Sequence, residues 1–487
     1  MKLIYGVKDR PKTGQIIVFA LQQLLAIMAA TIAVPMIIGN GMSTSAALFG
    51  AGVGTLVYLL FTKFRSPVFL GSSFAFLGSM AAAFSGAVSV SVGYFGLIIG
   101  AAMAGLIYVI IALIVKFAGT KWIDKLMPAV VIGPTVAIIG LSLAGGAVKD
   151  VLGGNGTYAD SIYNSSLQAF VLDTHALLCM ICGLVTLCVT VICSVFGKKM
   201  LKMIPFVIGI VSGYVLAMIM TVIGISTGNN DMVIISFDSF KALAPEGKVT
   251  IETFFSVPEF TFMEALNGLS KIDGTYIASI AVGYIPVAFV VFAEHLADHK
   301  NISSIIEQDL LKDPGLHRTL LGDGVGSIAG ALFGGCPNTT YGESIGCVAI
   351  SGNASVITIL FTAIFAIGIS FLSPFVAFLS SIPSCVMGGV CIALYGFIAV
   401  SGLKMVQKAD LGDNRNLFVV SVILIAGVGG MALGIPIGND RAIKLTSIAV
   451  ALILGIVTNL ILSSKKDEVK PEAVEEKEEE NKEAKEE

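Results

Sequence analysis

The sequence predicts an all-α polytopic membrane protein with about fourteen transmembrane segments. The chain has 487 residues, of which 55% are hydrophobic and only 13% are charged, whereas a soluble domain carries about 25% charged residues. Apolar runs long enough to cross a bilayer recur from one end of the chain to the other. Lysine and arginine concentrate in alternate loops, as expected of a chain that crosses the membrane repeatedly.

The apolar runs define the predicted spans one by one. The first run is too long for a cleaved signal peptide. The third and tenth runs are short, rich in Gly, Ser and Thr, and poor in Leu, so they are weak helices by propensity and are expected to be broken segments. In order, the predicted spans cover residues 16–38, 46–62, 67–85, 93–117, 127–145, 174–196, 203–225, 275–297, 316–334, 337–351, 354–374, 379–400, 416–434 and 443–462.

The basic residues predict a multi-pass protein of the cell membrane with both termini in the cytoplasm. The N-terminal segment 1–15 and the loops after spans two, four, six, eight and twelve carry two or more lysines or arginines, whereas the opposite loops carry few. Those opposite loops include a long extracellular one at 226–274. The segment 464–487 is mostly Lys and Glu, which predicts a disordered cytoplasmic tail and gives no case for nucleic acid.

An even count of spans divides into two sets of seven, and the second set of an odd-numbered repeat must insert upside down. Spans five and twelve support such an inverted repeat. Each has a proline near its start, Pro128 or Pro383, and a glycine five residues later, Gly133 or Gly388.

Spans three and ten show a second, weaker likeness. GSSFAF, which begins at Gly71, resembles NTTYGE, which begins at Asn338, and this alignment places Phe74 opposite Tyr341. An inverted repeat with paired broken segments is typical of secondary transporters, and the broken segments indicate the binding site.

Three carboxylates lie in segments that are otherwise apolar, which predicts an ion or substrate path. Glu294 and Asp298 close the eighth run, and Glu343 lies in the tenth. A charged group at membrane depth costs on the order of 2.5 kcal/mol or more and usually marks function. Glu294 and Asp298 are four residues apart and therefore share a helix face. For Asp298 a helix-end charge at the cytoplasmic rim is the alternative, and Asp323 in span nine allows the same two interpretations.

The broken tenth segment predicts the kind of ligand. Backbone N–H groups left free beside Glu343 suit a small planar heterocycle with alternating donors and acceptors. Tyr341 and Phe74 are expected to pack on its faces, although plain core packing is the alternative. Gln22 or Gln23 in the first span is expected to face the same cavity, with Tyr395 opposite. A buried carboxyl group that gains and loses a proton would couple transport to protons.

Two further patterns admit other chemistry. HLADH, from His295 to His299, resembles a zinc motif of metalloproteases, but no third ligand is evident. Cys179 and Cys182 form a CxxC one turn after His175, and because no second ligand pair follows, a buried structural role is expected.

At these residues the chain resembles the nucleobase–ascorbate transporter family, also called nucleobase:cation symporter-2, with the bacterial uracil permeases as the most similar branch. The resemblance extends over nearly the whole chain up to the charged tail. The motifs that carry it are LQQLLAIMAATIAVP from Leu21, FLGSSFAF from Phe69, AEHLADH from Ala293, PNTTYGESIG from Pro337 and LYGFIAVSGL from Leu394.

The resemblance implies two domains and a set of site residues. A core domain would comprise 16–117 and 275–374, and a gate domain 127–225 and 379–462, with short antiparallel strands in segments three and ten. Homodimers are common in the family. The implied substrate-binding residues act through carboxylates, backbone donors or pocket walls, and they are Glu294, Glu343, Phe74, Gly342, Tyr341 and Tyr395. Ser73 and Gln22 complete the predicted set of substrate-binding residues.

The chain departs from the family pattern in three of its motifs. The first span has Gln22–Gln23 where the family has Gln-His. Asp298 replaces a histidine of the best-known uracil permeases, which puts a proton relay through that imidazole in doubt. Ser344 and Ser351 replace Asn and Thr in the tenth-segment signature.

The sequence thus predicts a secondary active transporter, not an enzyme, that imports uracil with protons by alternating access, without cofactor or metal. Glu294, Asp298 and Glu343 are the expected proton-coupling residues, and sodium is the less favoured coupling ion. The alternatives are a transporter of purines such as xanthine, an anion carrier or channel of the same architecture, and an intramembrane metalloprotease.

Overall fold

The fold is described from a computed structural model. The described residues are 3–154, 157–198, 200–407, 409–436 and 442–463. The predicted disordered tail, 464–487, lies outside the described residues.

Helices dominate the described residues, as the composition predicts. Eight of them are long and apolar enough to cross a membrane. In chain order the helices are α1 (Thr13–Ile38), α2 (Thr44–Phe61), α3 (Leu77–Ser85), α4 (Val90–Ala118), α5 (Lys121–Leu126), α6 (Ala129–Val151), α7 (Thr157–Ser161), α8 (Thr174–Phe196), α9 (Met200–Met203), α10 (Pro205–Thr227), α11 (Asp238–Lys241), α12 (Thr261–Leu266), α13 (Gly274–Ile306), α14 (Leu316–Gly334), α15 (Gly342–Ser351), α16 (Val356–Ile369), α17 (Ser373–Ser380), α18 (Ser384–Val406), α19 (Asn414–Val428) and α20 (Ser447–Ser463).

Six short strands form three two-stranded antiparallel sheets within the described residues. They are β1 (Leu70–Ser72), β2 (Tyr163–Asn164), β3 (Ala169–Phe170), β4 (Asn338–Thr340), β5 (Leu433–Pro436) and β6 (Ala442–Leu445). Segments three and ten are therefore each a strand followed by a short helix, as the weak helix propensity of their sequences predicts.

The packing of the helices repeats between the two halves of the chain. Helix α1 of the first half packs on α16 of the second half, and its counterpart α13 of the second half packs on α4 of the first half. In the same way α10 on α8 corresponds to α20 on α19, α8 on α18 to α19 on α6, and α1 on α15 to α13 on α3. Exchanging the halves thus maps these contacts onto each other, as expected for two sets of seven segments.

Spans five and twelve, α6 and α18, show the repeat in detail. Each is 23 residues long and begins directly after its proline. The two helices cross at glycines, and a Cβ atom placed on Gly133 would lie 2.9 Å from the carbonyl oxygen of Gly402. Small residues at this crossing let the backbones approach closely.

Loops that the basic residues assign to the N-terminal side contact one another. The backbone N–H of Ile4 donates to the carbonyl of Gly352, 2.7 Å away. Arg65, after span two, pairs with Asp313, after span eight. These contacts pair the N-terminal segment with the loop after span ten, and the loop after span two with the loop after span eight, all on one predicted side.

Loops assigned to the opposite side also contact one another. Ser256, in the long loop between spans seven and eight, donates its N–H to the carbonyl of Phe371, just after α16, at 3.0 Å. His175, at the start of span six, contacts the carbonyl of Asp231 in the same long loop, at 2.9 Å. The predicted alternation of sides agrees with both sets of contacts.

The end of span thirteen and the start of span fourteen differ from the prediction. Residues 429–434 and 443–446 are not helical, because α19 ends at Val428 and the β5–β6 pair precedes α20. Gly429 and Gly430 follow the helix, and Gly430 has a positive φ of 69°. Glycine in this conformation ends helices readily, so the apolar run continues but the helix does not.

Candidate functional site

The β1–β4 pair is buried, and one strand comes from each half. Its register joins Leu70 to Thr340 and Ser72 to Asn338. Beyond the strands, the ladder continues on one side with Tyr341 N–H donating to Phe69, at 3.2 Å, and on the other with Ser73 N–H donating to Pro337, at 2.9 Å. Each strand therefore ends at a helix start.

The helix starts bring free donors to this place. Phe74 begins a 3₁₀ turn, Phe74–Phe76, and Gly342 begins α15. The first N–H groups of a helix have no partner inside the helix and attract acceptors. Phe74 and Gly342 are the first residues beyond the ladder on the two sides, which is where the family resemblance expects backbone donors.

The register corrects the predicted alignment of segments three and ten by one residue. The ladder makes Ser73 the counterpart of Tyr341 and Phe74 the counterpart of Gly342, whereas the sequence alignment placed Phe74 opposite Tyr341. A one-residue shift along a strand turns a side chain to the opposite face. Phe74 and Tyr341 therefore do not form a matched pair of aromatic walls.

Tyr341 is buried behind the strands. Its hydroxyl donates to the carbonyl of Ser72 at 2.8 Å, and its ring covers Gly71, where any Cβ atom would overlap the ring. These contacts join the two strands. A direct contact of Tyr341 with substrate stays a prediction.

The two acids of α13 are not at the end of their helix. The prediction ended span eight at 297, but α13 continues to Ile306, so Asp298 is not a helix-end charge. The hydroxyl of Thr340, the last residue of β4, donates to Asp298 at 2.7 Å. Within the described residues, the buried Oε2 atom of Glu294 has no hydrogen-bond partner. This face of α13 is therefore directed at the strand pair.

Glu343 is the second residue of α15, in the first turn, where a carboxylate is favoured by the helix dipole. The next residue, Ser344, is fully buried, and its hydroxyl oxygen accepts hydrogen bonds from the side chain of Gln23 at 2.6 Å and from the N–H of Phe69 at 3.1 Å. Ser344 thus ties the first turn of α15 to α1 and to the start of β1.

The other predicted site residues lie around the same place. Gln22 and Ser73 are buried. Phe74 and Tyr395 are also buried, and their rings meet edge to face with centroids 5.5 Å apart. Since Tyr395 lies on α18 and Phe74 follows β1, this contact joins the two predicted domains beside the strands.

Sequence reasoning missed the contacts of Thr340 and Ser344. Both residues lie in the NTTYGES stretch. The alignment with GSSFAF compared hydroxyl residues of this stretch but did not give their contacts. No pattern in the sequence shows which side chain each hydroxyl meets, because the partners, Asp298 and Gln23, are distant in the chain.

The histidines of HLADH are committed to protein partners. His295 contacts Asp323 and Thr319 through its two ring nitrogens, and His299 contacts Tyr58 and the carbonyl of His295. The arrangement therefore differs from a pair of metal ligands on one helix face. Asp323, which the sequence left open between a helix start and the interior, is 1% exposed and thus interior.

The cysteines are all free thiols. Cys179 and Cys182 are buried, as expected, and Cys179 lies 3.5 Å from the His175 ring.

Comparison with known proteins gives the same picture over nearly the full chain. Residues 14–437 match the model of the permease family Xan_ur_permease. The uracil permease of Bacillus caldolyticus is 38% identical over 99% of this chain and 98% of its own length. The uracil permease of Bacillus subtilis (strain 168) is 38% identical over 96% and 97%, and that of Escherichia coli (strain K12) is 35% identical over 94% and 93%.

Solved structures of low sequence identity share the fold. The transmembrane domain of the cyanobacterial bicarbonate transporter BicA superimposes with a TM-score of 0.62 at 15% identity, covering 93% of this chain and 99% of that one. Murine Slc26a9, an anion transporter in the inward-facing state, gives a TM-score of 0.61 at 11% identity, covering 94% and 69%. The fold and the full-length sequence matches together place this chain in the nucleobase–ascorbate transporter family of permeases.

Proposed function

We propose that this chain is a secondary active transporter that imports uracil together with protons. The observation that carries the proposal is the convergence of three acids and two helix starts on one strand pair. Asp298 accepts from Thr340 of β4, Glu294 lies one turn before it on the same face of α13, and Glu343 lies at the start of α15. The names of the relatives, uracil permeases of three bacteria, give the nucleobase.

The chemistry of uracil fits this donor and acceptor set. The base is planar and alternates ring N–H donors with carbonyl acceptors. Carboxylates of Glu294 and Glu343 would accept from its N–H groups, and the N–H groups of Phe74 and Gly342 would donate to its carbonyls. Gln22 and Ser73 would complete the polar wall. Three acids around the site oppose an anionic cargo, so the bicarbonate chemistry named for BicA does not transfer.

Proton coupling would follow from the same acids. A carboxyl group that holds a proton is neutral and crosses the membrane centre at far lower energy than an ion. Glu294, Asp298 and Glu343 are the proposed carriers, with Asp298 in the place of the family's histidine and Thr340 as its hydrogen-bond donor.

Alternating access would move a core domain against a gate domain. The core is proposed to comprise 16–117 and 275–374, and the gate 127–225 and 379–462. The helix contacts support this division, since α2 packs on α14 within the core and α6 packs on α18 within the gate. The Phe74–Tyr395 contact lies where the two would separate.

The proposed setting is the cell membrane, with both termini in the cytoplasm and the 226–274 loop outside. The excess of Lys and Arg in one set of loops supports this orientation. A homodimer is proposed by resemblance to the family.

Uptake into proteoliposomes tests the proposal. The purified full chain would be given radiolabelled uracil with an inward proton gradient in sodium-free buffer, and the matched control would have equal pH on both sides. Accumulation that requires the gradient is the expected result. Uptake driven by an inward sodium gradient instead would refute proton coupling. Uptake of labelled xanthine in place of uracil would refute the substrate.

A further inference from the structure

The AEHLADH stretch of α13 carries two pairs of ionisable residues at the same helical spacing. Glu294 and Asp298 form the acid pair, and His295 and His299 form a histidine pair one residue later. The two pairs therefore lie about 100° apart around the helix. The acid pair faces the strands, whereas the histidine pair faces α14 and α2. The transport mechanism proposed above uses the acid pair only.

His295 is held between two residues of α14. Its Nε2 atom lies 3.0 Å from the Thr319 hydroxyl, and its Nδ1 atom lies 2.6 Å from Oδ2 of Asp323. Both His295 and Asp323 are buried, with side chains 0% and 1% exposed. The contact is therefore shielded from water in the state that the structure describes.

The hydrogen bonds of Thr319 favour one tautomer of His295. The Thr319 hydroxyl lies 3.0 Å from the carbonyl of Leu316 and 3.0 Å from Nε2 of His295. While its single proton is donated to Leu316, it accepts from Nε2–H of His295. A neutral His295 then presents a lone pair at Nδ1. Since Oδ2 of Asp323 is only 2.6 Å away, a proton must lie between the two atoms. The pair holds one proton, either on the carboxyl group or on a doubly protonated imidazole.

Asp323 also lines a crevice next to the strand pair. Oδ1 is buried and has no hydrogen-bond partner among the residues that the structure describes. Asp323 lines a narrow crevice together with Phe76, Tyr108, Ser327 and Asn338. Asn338 begins β4, and Phe76 ends the turn after β1. The residue with the unpartnered oxygen therefore lines a crevice that is also lined by residues of the strand pair and the turn after it.

We propose that Asp323 and His295 form a second proton-binding site, separate from the acids that meet the substrate, whose proton leaves and returns once in each transport cycle. This proposal rests on the proton-coupled function proposed above. On release, the bond to the shared proton breaks, the proton passes to water admitted to the crevice, and an Asp323 carboxylate remains beside a neutral imidazole. Protonation reverses the step.

Release of the proton would have a mechanical consequence. Without it, the carboxylate of Asp323 opposes the lone pair on Nδ1 of His295, and the short contact becomes repulsive. Either the two side chains separate, or the imidazole changes tautomer so that Nδ1–H donates to the carboxylate and the bond from Nε2–H to Thr319 is lost. Both changes break a contact between α13 and α14. Helix α13 also carries Glu294 and Asp298. The protonation of the Asp323–His295 pair is therefore linked to the position of these two acids.

The surroundings of the pair determine when release is favoured. A charged acid nearby disfavours a carboxylate at Asp323, so the pair releases its proton most easily when the substrate acids still hold theirs. A charge on one histidine opposes a charge on the other, because the two rings stack with centroids 4.0 Å apart. The titratable neighbours are Tyr58 of α2, Tyr108 of α4, and Glu294, Asp298 and His299 of α13.

Two transport assays on the full chain in proteoliposomes test this site. Exchange of external labelled uracil for internal uracil, at equal pH, needs no net proton movement, whereas gradient-driven net uptake does. Asp323→Asn keeps the hydrogen bond, since its amide donates to Nδ1, but removes the exchangeable proton. His295→Gln removes the exchangeable proton by replacing the imidazole that shares it. Both variants should retain exchange, within about twofold of wild type, and slow net uptake about tenfold or more.

Tyr108→Phe is the matched control, because its buried hydroxyl lies in the same crevice and has no hydrogen-bond partner among the described residues. Net uptake by Asp323→Asn and His295→Gln at the rate of this control would overturn the proposal. Loss of exchange together with net uptake in both variants would also overturn it, since the pair would then only hold the core together. A wild-type protein that exchanges no uracil would refute the proposed function itself, which is a different result.

Discussion

At the scale of the residue, the polar contacts of segment ten decide how the acids are presented. Thr340 holds Asp298, and Ser344 connects the turn that carries Glu343 to Gln23. Each contact joins residues far apart in the chain. The acids are therefore set in place by neighbours that are not themselves expected to bind the substrate.

Glu343→Gln tests the role of this acid in binding. The amide keeps the size of the side chain but accepts with one atom only and cannot carry the charge. We expect the dissociation constant for uracil to rise about tenfold or more, since a hydrogen bond to a charged group contributes about 1.5–3 kcal/mol. Binding to the purified protein can be measured by calorimetry. The control is Glu307→Gln, an exposed position at the end of α13. Normal binding by Glu343→Gln would remove Glu343 from the site.

Thr340→Val tests the hydroxyl that Asp298 accepts from. Valine has nearly the same shape but leaves the carboxyl group without this donor, so we expect the free energy of unfolding to fall by about 1–3 kcal/mol and proton-driven uptake to slow. Thermal unfolding in detergent and uptake into proteoliposomes give the two readouts.

The neighbouring Thr339→Val is the matched control for Thr340→Val. The Thr339 hydroxyl is buried and has no hydrogen-bond partner among the described residues. A loss of stability and uptake as large in Thr339→Val as in Thr340→Val would show that the Asp298 contact is not the cause.

At the scale of the element, the strand pair is the feature that positions everything else. A pair of strands with three paired residues each is too short to be stable alone. The packing of Tyr341 over Gly71 and the hydrogen bonds of Ser344 to Gln23 and Phe69 stabilise the pair. Both strands end at helix starts, and these ends supply the donors of the proposed site.

Gly71→Ala should separate the strands. An added Cβ atom would overlap the Tyr341 ring, and neither strand can move away without losing ladder hydrogen bonds. We expect a large loss of uracil binding and of folded yield. Gly283→Ala in α13 is the control, since a Cβ atom there meets no atom within 4 Å. Fluorescence-detected size-exclusion chromatography reports the folded yield, and a normal yield and affinity for Gly71→Ala would contradict the account.

The sequence predicts the existence of these elements better than their register. Hydrophobic runs show where spans lie, and the shortage of helix formers in segments three and ten shows where helices break. The alignment of GSSFAF with NTTYGE was off by one residue because hydroxyl residues at successive positions fit either register equally well. Only the cross-strand hydrogen bonds, such as Ser73 to Pro337, distinguish the two.

Side-chain partners are also beyond the sequence. The spacing of four residues predicts that the two acids of α13 share one helix face. The two histidines have the same spacing, which is why they resemble a metal motif. Their true partners, Asp323, Thr319 and Tyr58, come from other helices. Asp323 lies in a run where a helix-start charge and a buried acid look alike, and burial alone decides between them.

At the scale of the whole molecule, only the bias of basic residues between the loops assigns one membrane face to the cytoplasm. The reaction of introduced cysteines with a membrane-impermeant thiol reagent tests this assignment. In a Cys188→Ser background, which removes an exposed natural thiol, Lys271→Cys should react in intact cells. Lys312→Cys should react only after the membrane is opened. Both positions are exposed. The reverse pattern would invert the proposed orientation, and the parent without new cysteines is the control.

The strand pair also bears on the direction of transport. One strand comes from each inverted half, so the central ladder has nearly the same backbone donors when approached from either face of the membrane. A carrier built around its own pseudo-twofold axis has little intrinsic preference for import over export. The gradients of protons and substrate then set the direction of transport. A cell whose interior becomes more acidic than its surroundings would export the base by the path through which it entered.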